Sequence, residues 1–210
     1  MLKIDLKKEL MPLYNASAKE ATIVDVPRMH FLMIDGRGNP NTAKKYLEAV
    51  EALYALAYAI KFKIKRDTPP TDYAVMPLEG LWWVEDPADL KKKDRWYWTM
   101  MILQPRAVAD KQVQEAIREV EQKKNPPALP SVRFEPFIEG MSAQILHVGP
   151  YSAEEKTVAR LHQFILDRGY RLGGKHHEIY LNDPRKTVLA KLKTILRQPF
   201  VKASPPNHPE

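Results

Sequence analysis

The sequence predicts an α+β fold built from two pseudo-symmetric halves, each a strand, a helix and two more strands, with the helices on one side of antiparallel sheet. Three observations point there. In each half an apolar run stopped by glycine precedes a long helical stretch: "HFLMIDGRGNPN" before "AKKYLEAVEALYALAYAIKF", and "MSAQILHVGPY" before "SAEEKTVARLHQFILDRGY". Strand patterns interrupted by an Asp-Pro turn follow, Asp86-Pro87 in one half and Asp183-Pro184 in the other. Each half then closes on a similar run, "MILQP" and "ILRQP". Two such halves leave a groove between them, the natural place for a ligand.

The opening segment to about Val26 reads as a short amphipathic piece and a strand lead-in, "ATIVDVP". The first repeat spans about 27–105. Gly36, Gly38 and Pro40 end its first strand, and Asn41 or Thr42 can cap the helix that follows. Tyr46, Leu47, Val50, Leu53, Tyr54, Ala57 and Tyr58 keep helical spacing, so one face of that helix is buried. "DYAVMPLEGLWWVEDP" and "DRWYWTMMILQP" read as neighbouring strands joined by a charged loop. A connecting helix, "DKQVQEAIREVEQKK", and the proline-rich linker "NPPALPS" occupy about 110–131. The second repeat spans about 142–200. Ser152 and Glu155 make a capping box for its helix, and Gly169 ends it. "HHEIYLNDP" and "LKTILRQPF" are its later strands, and the tail from about 202 is expected to be disordered. All of this fits one domain over 1–210.

With 210 residues and no cysteine, the chain has no disulfide, thiolate metal site or cysteine nucleophile, and a cytoplasmic location is the expectation. The net charge of +7 permits anionic partners, but the one dense basic run, "LKKKDR", alternates with acids in a solvated loop. No membrane segment and no nucleic-acid-binding motif is expected. "GRGNPN" lacks the third glycine and the Lys-Ser/Thr pair of a phosphate loop, and no "GxSxG" occurs. No metal site or cofactor is expected: His176 and Glu178 offer two ligands on one strand face, without a third at recognisable spacing.

Polar residues placed among apolar ones carry the chemistry. On the strand pair that holds Trp82, Trp83, Trp96 and Trp98, Glu79 alternates with apolar positions and shares a face with Trp83, while Trp96, Trp98 and Met100 lie together. In "HHEIYLND", His176, Glu178 and Tyr180 share one face. Each acid is either an ordinary surface residue or a pocket carboxylate. A carboxylate enclosed by rings keeps its charge only with a partner, which suits a general acid or base or a receptor for a cationic ligand. If the halves are symmetric, Glu79 and Glu178 converge on one groove, with Tyr54 and Tyr58 of the first helix as candidate lining.

"PLEGLWW", "DRWYWTMMILQP" and above all "GGKHHEIYLNDPRK" followed by "LKTILRQP" resemble the stand-alone branch of the GyrI-like small-molecule-binding family, over nearly the whole chain. The resemblance implies two strand-helix-strand-strand (SHS2-type) repeats around a central cleft. It also implies an acidic ligand contact on the late strand, carried onto Glu178. Relatives fused to DNA-binding domains sense lipophilic cationic drugs, others protect DNA gyrase, and some stand-alone ones are hydrolases that open the cyclopropane of DNA-alkylating natural products.

The expected function is therefore capture of a flat hydrophobic or cationic small molecule, with hydrolysis of the strained ring. Glu178 or Glu79 is the expected base and Tyr180 a hydroxyl donor. Trp83, Trp96, Trp98, Met100, Tyr54, Tyr58 and His176 are the expected lining. A drug-sequestering or effector-sensing module without turnover is the alternative, and a gyrase-interacting protein a further one.

Overall fold

The computed structural model describes residues 2–203; most of the tail expected to be disordered lies outside these residues. Two short helices, α1 (Leu6–Glu9) and α2 (Met11–Tyr14), follow strand β1 (Leu2–Ile4), which pairs in parallel with β4 (Thr71–Tyr73). The main sheet is antiparallel. Its first half comprises β2 (Thr22–Val26), β3 (Met29–Arg37), β5 (Leu78–Trp83) and β6 (Tyr97–Gln104). The second comprises β7 (Arg133–Phe137), β8 (Gly140–Val148), β10 (His176–Tyr180) and β11 (Lys193–Lys202). The order across it is β2-β8-β11-β10-β5-β6-β3-β7, with β9 (Tyr170–Leu172) paired to β11.

That order is symmetric about the β10–β5 pair. Outward from the centre each half lays down its third element, its fourth and its first, and each lead strand, β2 or β7, crosses to flank the first strand of the opposite half. The longer helices are α3 (Lys44–Ile64), α4 (Asp110–Lys123) and α5 (Glu155–Leu166). α3 packs over β3 and β6, α5 over β8 and β11, and α4 alongside α3. Leu53, Leu56 and Ile60 of α3 are buried in the larger core, and Leu161 and Ile165 of α5 in a smaller one with Ile145, Leu196 and Phe200. α3 and α5 pack chiefly on the flanking strands and not on β5 or β10, so the helix face of this central pair lies between them, where the groove is expected.

Helix starts differ from the expected caps. α3 begins after Ala43 with no side-chain cap; Asn39 instead accepts from the Asn41 N–H inside the turn. In the second half a 3-10 turn over Tyr151–Ala153 intervenes, so Ser152 sits inside that turn and Glu154 precedes the first residue of α5. The expected capping box is replaced by this turn, and no side chain caps α5.

Gly36 shows why a side chain is absent at the end of β3. The Trp98 indole lies against it, and a Cβ there would collide with Cη2 and Cζ2 of the ring.

Candidate functional site

Register decides which residues meet. Cross-strand partners in antiparallel sheet share a face, so Ile145, Leu196, Glu178, Gly80, Met100 and Ile34 form one continuous row on the helix face, from β8 across to β3. Glu178 is its sole charged member, and its side chain retains 16% exposure. Under the symmetry of the sheet, Ile145–Leu196–Glu178 matches Ile34–Met100–Gly80. The counterpart of Glu178 is therefore Gly80, not Glu79.

Around Glu178 the polar groups are ordered. The Trp82 indole N–H donates to the Tyr180 oxygen at 3.1 Å, and the Tyr180 hydroxyl donates to Glu178 Oε2 at 2.7 Å. Burial and the Glu178 charge hold the Tyr180 hydroxyl well above its ordinary pKa. Its proton is thus committed to Glu178, and Tyr180 orients the carboxylate instead of serving as a free donor. The second oxygen, Oε1, lies 3.5 Å from His176 Nε2. A Cβ on Gly80 would come within 2.7 Å of Trp82 Nε1 and 3.2 Å of the Tyr180 hydroxyl, so this strand position must lack a side chain.

Aromatic rings wall the cleft. Tyr46 of α3 lies 6.1 Å from Trp82 and 5.4 Å from Trp98, Trp96 meets Trp82 edge-on at 5.9 Å, and Tyr151 meets Tyr180 edge-on at 5.6 Å. Trp96 is anchored by its indole N–H to the Leu90 carbonyl at 2.9 Å. Trp98 and Met100 belong to the same face but are wholly buried under α3. Tyr54 borders the cleft, where burial raises its hydroxyl pKa. Tyr58, one turn on, points outward, 48% exposed and stacked between Tyr54 and Phe62. His162 of α5 lies near His176, and burial together with that neighbour holds it below the ordinary histidine value.

Glu79 and Trp83 lie on the reverse face, so the expected convergence of two strand acids is corrected. Glu79 is opposite Ile179, and Trp83 stacks on Tyr97 with Lys175 Nζ 3.3 Å above its ring. Glu79 is 1% exposed and accepts from the Tyr14 hydroxyl at 2.7 Å and from His177 Nε2 at 3.0 Å. His177 Nδ1 reaches both oxygens of Glu139 at 3.0 Å. Arg197 donates to Glu139, Gln144 and the Leu13 carbonyl. Burial alone would lower the His177 pKa, but the two carboxylates outweigh it and raise it to about 9. Glu79 is thus a partner in a closed ion network that fastens the N-terminal helices to the sheet.

The sequence reading missed Glu154, Tyr46, Tyr151, Trp82 and Thr194. Glu154 precedes α5 and is 7% exposed; burial, then the Glu178 charge, push its pKa up to about 8. Thr194, opposite Tyr180 on β11, is fully buried on the same face.

A two-fold sheet whose cleft holds one oriented carboxylate among aromatic rings defines a small-molecule-binding domain. The chain belongs to the GyrI-like small molecule binding domain family, whose model matches residues 19–199. It is similar to an uncharacterized conserved protein from Listeria innocua, at 41% identity and a TM-score of 0.88 over 94% of this chain and 100% of that one. A hydrolase from Listeria innocua matches at 41% identity and a TM-score of 0.85, over 95% of this chain and 100% of that one. The C-terminal domain of EcmrR, at 13% identity and a TM-score of 0.56 over 88% of this chain and 98% of that one, shares the fold. No curated protein matches the chain. No helix among the described residues is long and apolar enough to cross a membrane.

Proposed function

We propose that the protein binds flat hydrophobic or cationic small molecules in the cleft around Glu178 and hydrolyses strained cyclopropane electrophiles, a cytoplasmic detoxification of DNA-alkylating natural products. The observation that carries this reading is the oriented Glu178 carboxylate at the centre of an otherwise uncharged row and walled by rings. Such a carboxylate attracts a lipophilic cation or the developing positive end of a polarised ligand. With Oε2 held by Tyr180, Oε1 is free to take a proton from water attacking the ring carbon. Trp82 and Tyr180 fix the geometry, and Tyr46, Trp96 and Tyr151 stack on the ligand and exclude bulk water. The relative described as a hydrolase at 41% identity weighs toward turnover.

The test is incubation with a cyclopropane fused to a dienone, followed by mass spectrometry. Wild type gains one water per molecule of compound, and Glu178→Gln slows the gain roughly 10²–10⁴-fold, the range for loss of a general base. Unchanged compound, together with tight binding of a lipophilic cation that Glu178→Gln loses, would make the protein a sequestering module. Equal turnover by both proteins removes Glu178 from the chemistry.

A further inference from the structure

Glu154 Oε1 and Thr194 Oγ1 are among the buried polar atoms with no close hydrogen-bond partner, as are His176 Nδ1, Trp98 Nε1 and His162 Nε2; the Thr194 hydroxyl is near enough to act on the Glu154 carboxyl. Thr194 stands opposite Tyr180 in the β10–β11 ladder, and Tyr180 holds Glu178. Glu154 enters from the 3-10 turn that carries Tyr151, whose ring packs on Tyr180. The Glu154 carboxyl is buried, with Thr194 and Glu178 as its neighbours, so a second carboxyl stands beside the Tyr180–Glu178 pair. We propose that Glu154 is the proton donor of this cleft, handing its carboxyl proton to the substrate oxygen that gains charge as the ring opens, while Glu178 takes the proton of the attacking water. The inference rests on the hydrolytic reading above.

Two carboxylates in one desolvated site do not both ionise; one keeps the proton. Glu178 accepts a hydrogen bond from Tyr180 and lies 3.5 Å from His176 Nε2, so its carboxyl is already engaged and oriented. Glu154 has an oxygen with no partner, and burial and the Glu178 charge favour its neutral form. Opposing influences are weaker: the start of α5 and the charge of Lys93 favour ionisation, as does the Thr194 hydroxyl. Tyr151 and Tyr180 remain neutral, since burial raises both. The result is a neutral carboxyl set beside an oriented carboxyl that faces the same ligand, an arrangement suited to acid-base hydrolysis.

The step balances. A C–C bond of the cyclopropane breaks as water oxygen bonds to the ring carbon. The ring electron pair travels to the substrate oxygen, which takes the Glu154 proton and becomes a phenol. Glu178 holds the water proton and returns it to Glu154 through solvent, so the net change is addition of one water. Tyr180, committed to Glu178, is not available as that donor.

The experiment is the pH profile of kcat for the dienone-fused cyclopropane with wild type, Glu154→Gln and Glu178→Gln. Wild type should lose rate as pH rises through about 8, where Glu154 sheds its proton. Glu154→Gln should lower kcat roughly 10²-fold or more with KM within a few-fold, and should lack that alkaline limb. Wild-type kcat with an unchanged limb in Glu154→Gln overturns the inference while leaving the hydrolytic reading intact. A flat wild-type profile between pH 6 and 10 overturns it without any variant. No water added by wild type removes the hydrolytic reading and the donor with it.

Discussion

Gly80 occupies the centre of the cleft floor, directly opposite Glu178, and adding one methyl there tests the whole polar chain. The methyl would meet Trp82 Nε1 at 2.7 Å, closer than real contacts allow, and a strand backbone between two paired neighbours has little room to withdraw. Gly80→Ala should cost about 1–3 kcal/mol by overpacking. It should also displace Trp82 from Tyr180, freeing the tyrosine to turn from Glu178. The expected readouts are a lower urea midpoint, shifted tryptophan emission and at least tenfold weaker ligand binding; unchanged binding would separate Trp82 from the site. Glu178 and Tyr180 were legible because alternation along "HHEIY" puts them on one face. What alternation does not tell is which face of one strand aligns with which face of the next. β5 is buried on both faces, so its two sets of residues look alike in sequence, and Glu79 and Trp83 were assigned to the cleft although they lie behind it. Glu154 left no such signal: it lies between a 3-10 turn and α5, outside any periodic stretch, and in sequence it is one acid of "AEEK".

Long periodic elements could be read directly, and the short ones could not. The helix expected in the first half is α3, because apolar residues three and four apart continue for its whole length. β1, β4 and β9 have three residues each, too few to show a period. β7, "RFEPF", carries Pro136, which reads against a strand. Its tolerance follows from position: β7 is at the end of the sheet and pairs only with β3, so a missing N–H costs no ladder bond on its open side. α3 itself divides into a buried and an open side that stability measurements distinguish. Leu56 is wholly enclosed, whereas Leu47 is largely exposed. Leu56→Ala should destabilise by about 2–5 kcal/mol, and Leu47→Ala by no more than about 0.5 kcal/mol. Similar losses from both in urea unfolding would mean that the outer stripe of Leu47, Tyr58 and Phe62 is covered in solution.

At the scale of the whole molecule, one sheet separates two kinds of charge. On the helix face Glu178 and Glu154 stand in a cleft with unpartnered polar atoms, available to a ligand. On the reverse face Tyr14, Glu79, His177, Glu139 and Arg197 saturate one another and fasten the N-terminal helices. The alternation of β10 delivers both, His177 behind and Glu178 in front, so the reverse network holds from below the strand that carries the cleft acid. This predicts how stability varies with pH. The His177 pKa is raised to about 9 from an ordinary value near 6.5. Its contribution is full below pH 6.5 and is lost as pH rises through 9, where the imidazolium deprotonates between two carboxylates. Burial on its own would raise the Glu139 pKa, but the His177 and Arg197 charges prevail and hold it below its ordinary value. That contribution is complete above the usual carboxylate range and is lost as pH falls through the lowered value. Stability should therefore be greatest between these limits, with an alkaline decline that begins near pH 7 and ends near pH 9. His177→Gln removes the titrating group, so thermal unfolding of this variant should lose that alkaline decline while its neutral-pH stability drops by about 3–5 kcal/mol, the range for breaking a buried ion pair. A wild-type melting temperature constant from pH 6 to 10 would mean that His177 is not the charged centre of the network, and that neutral hydrogen bonds alone hold the N-terminal helices.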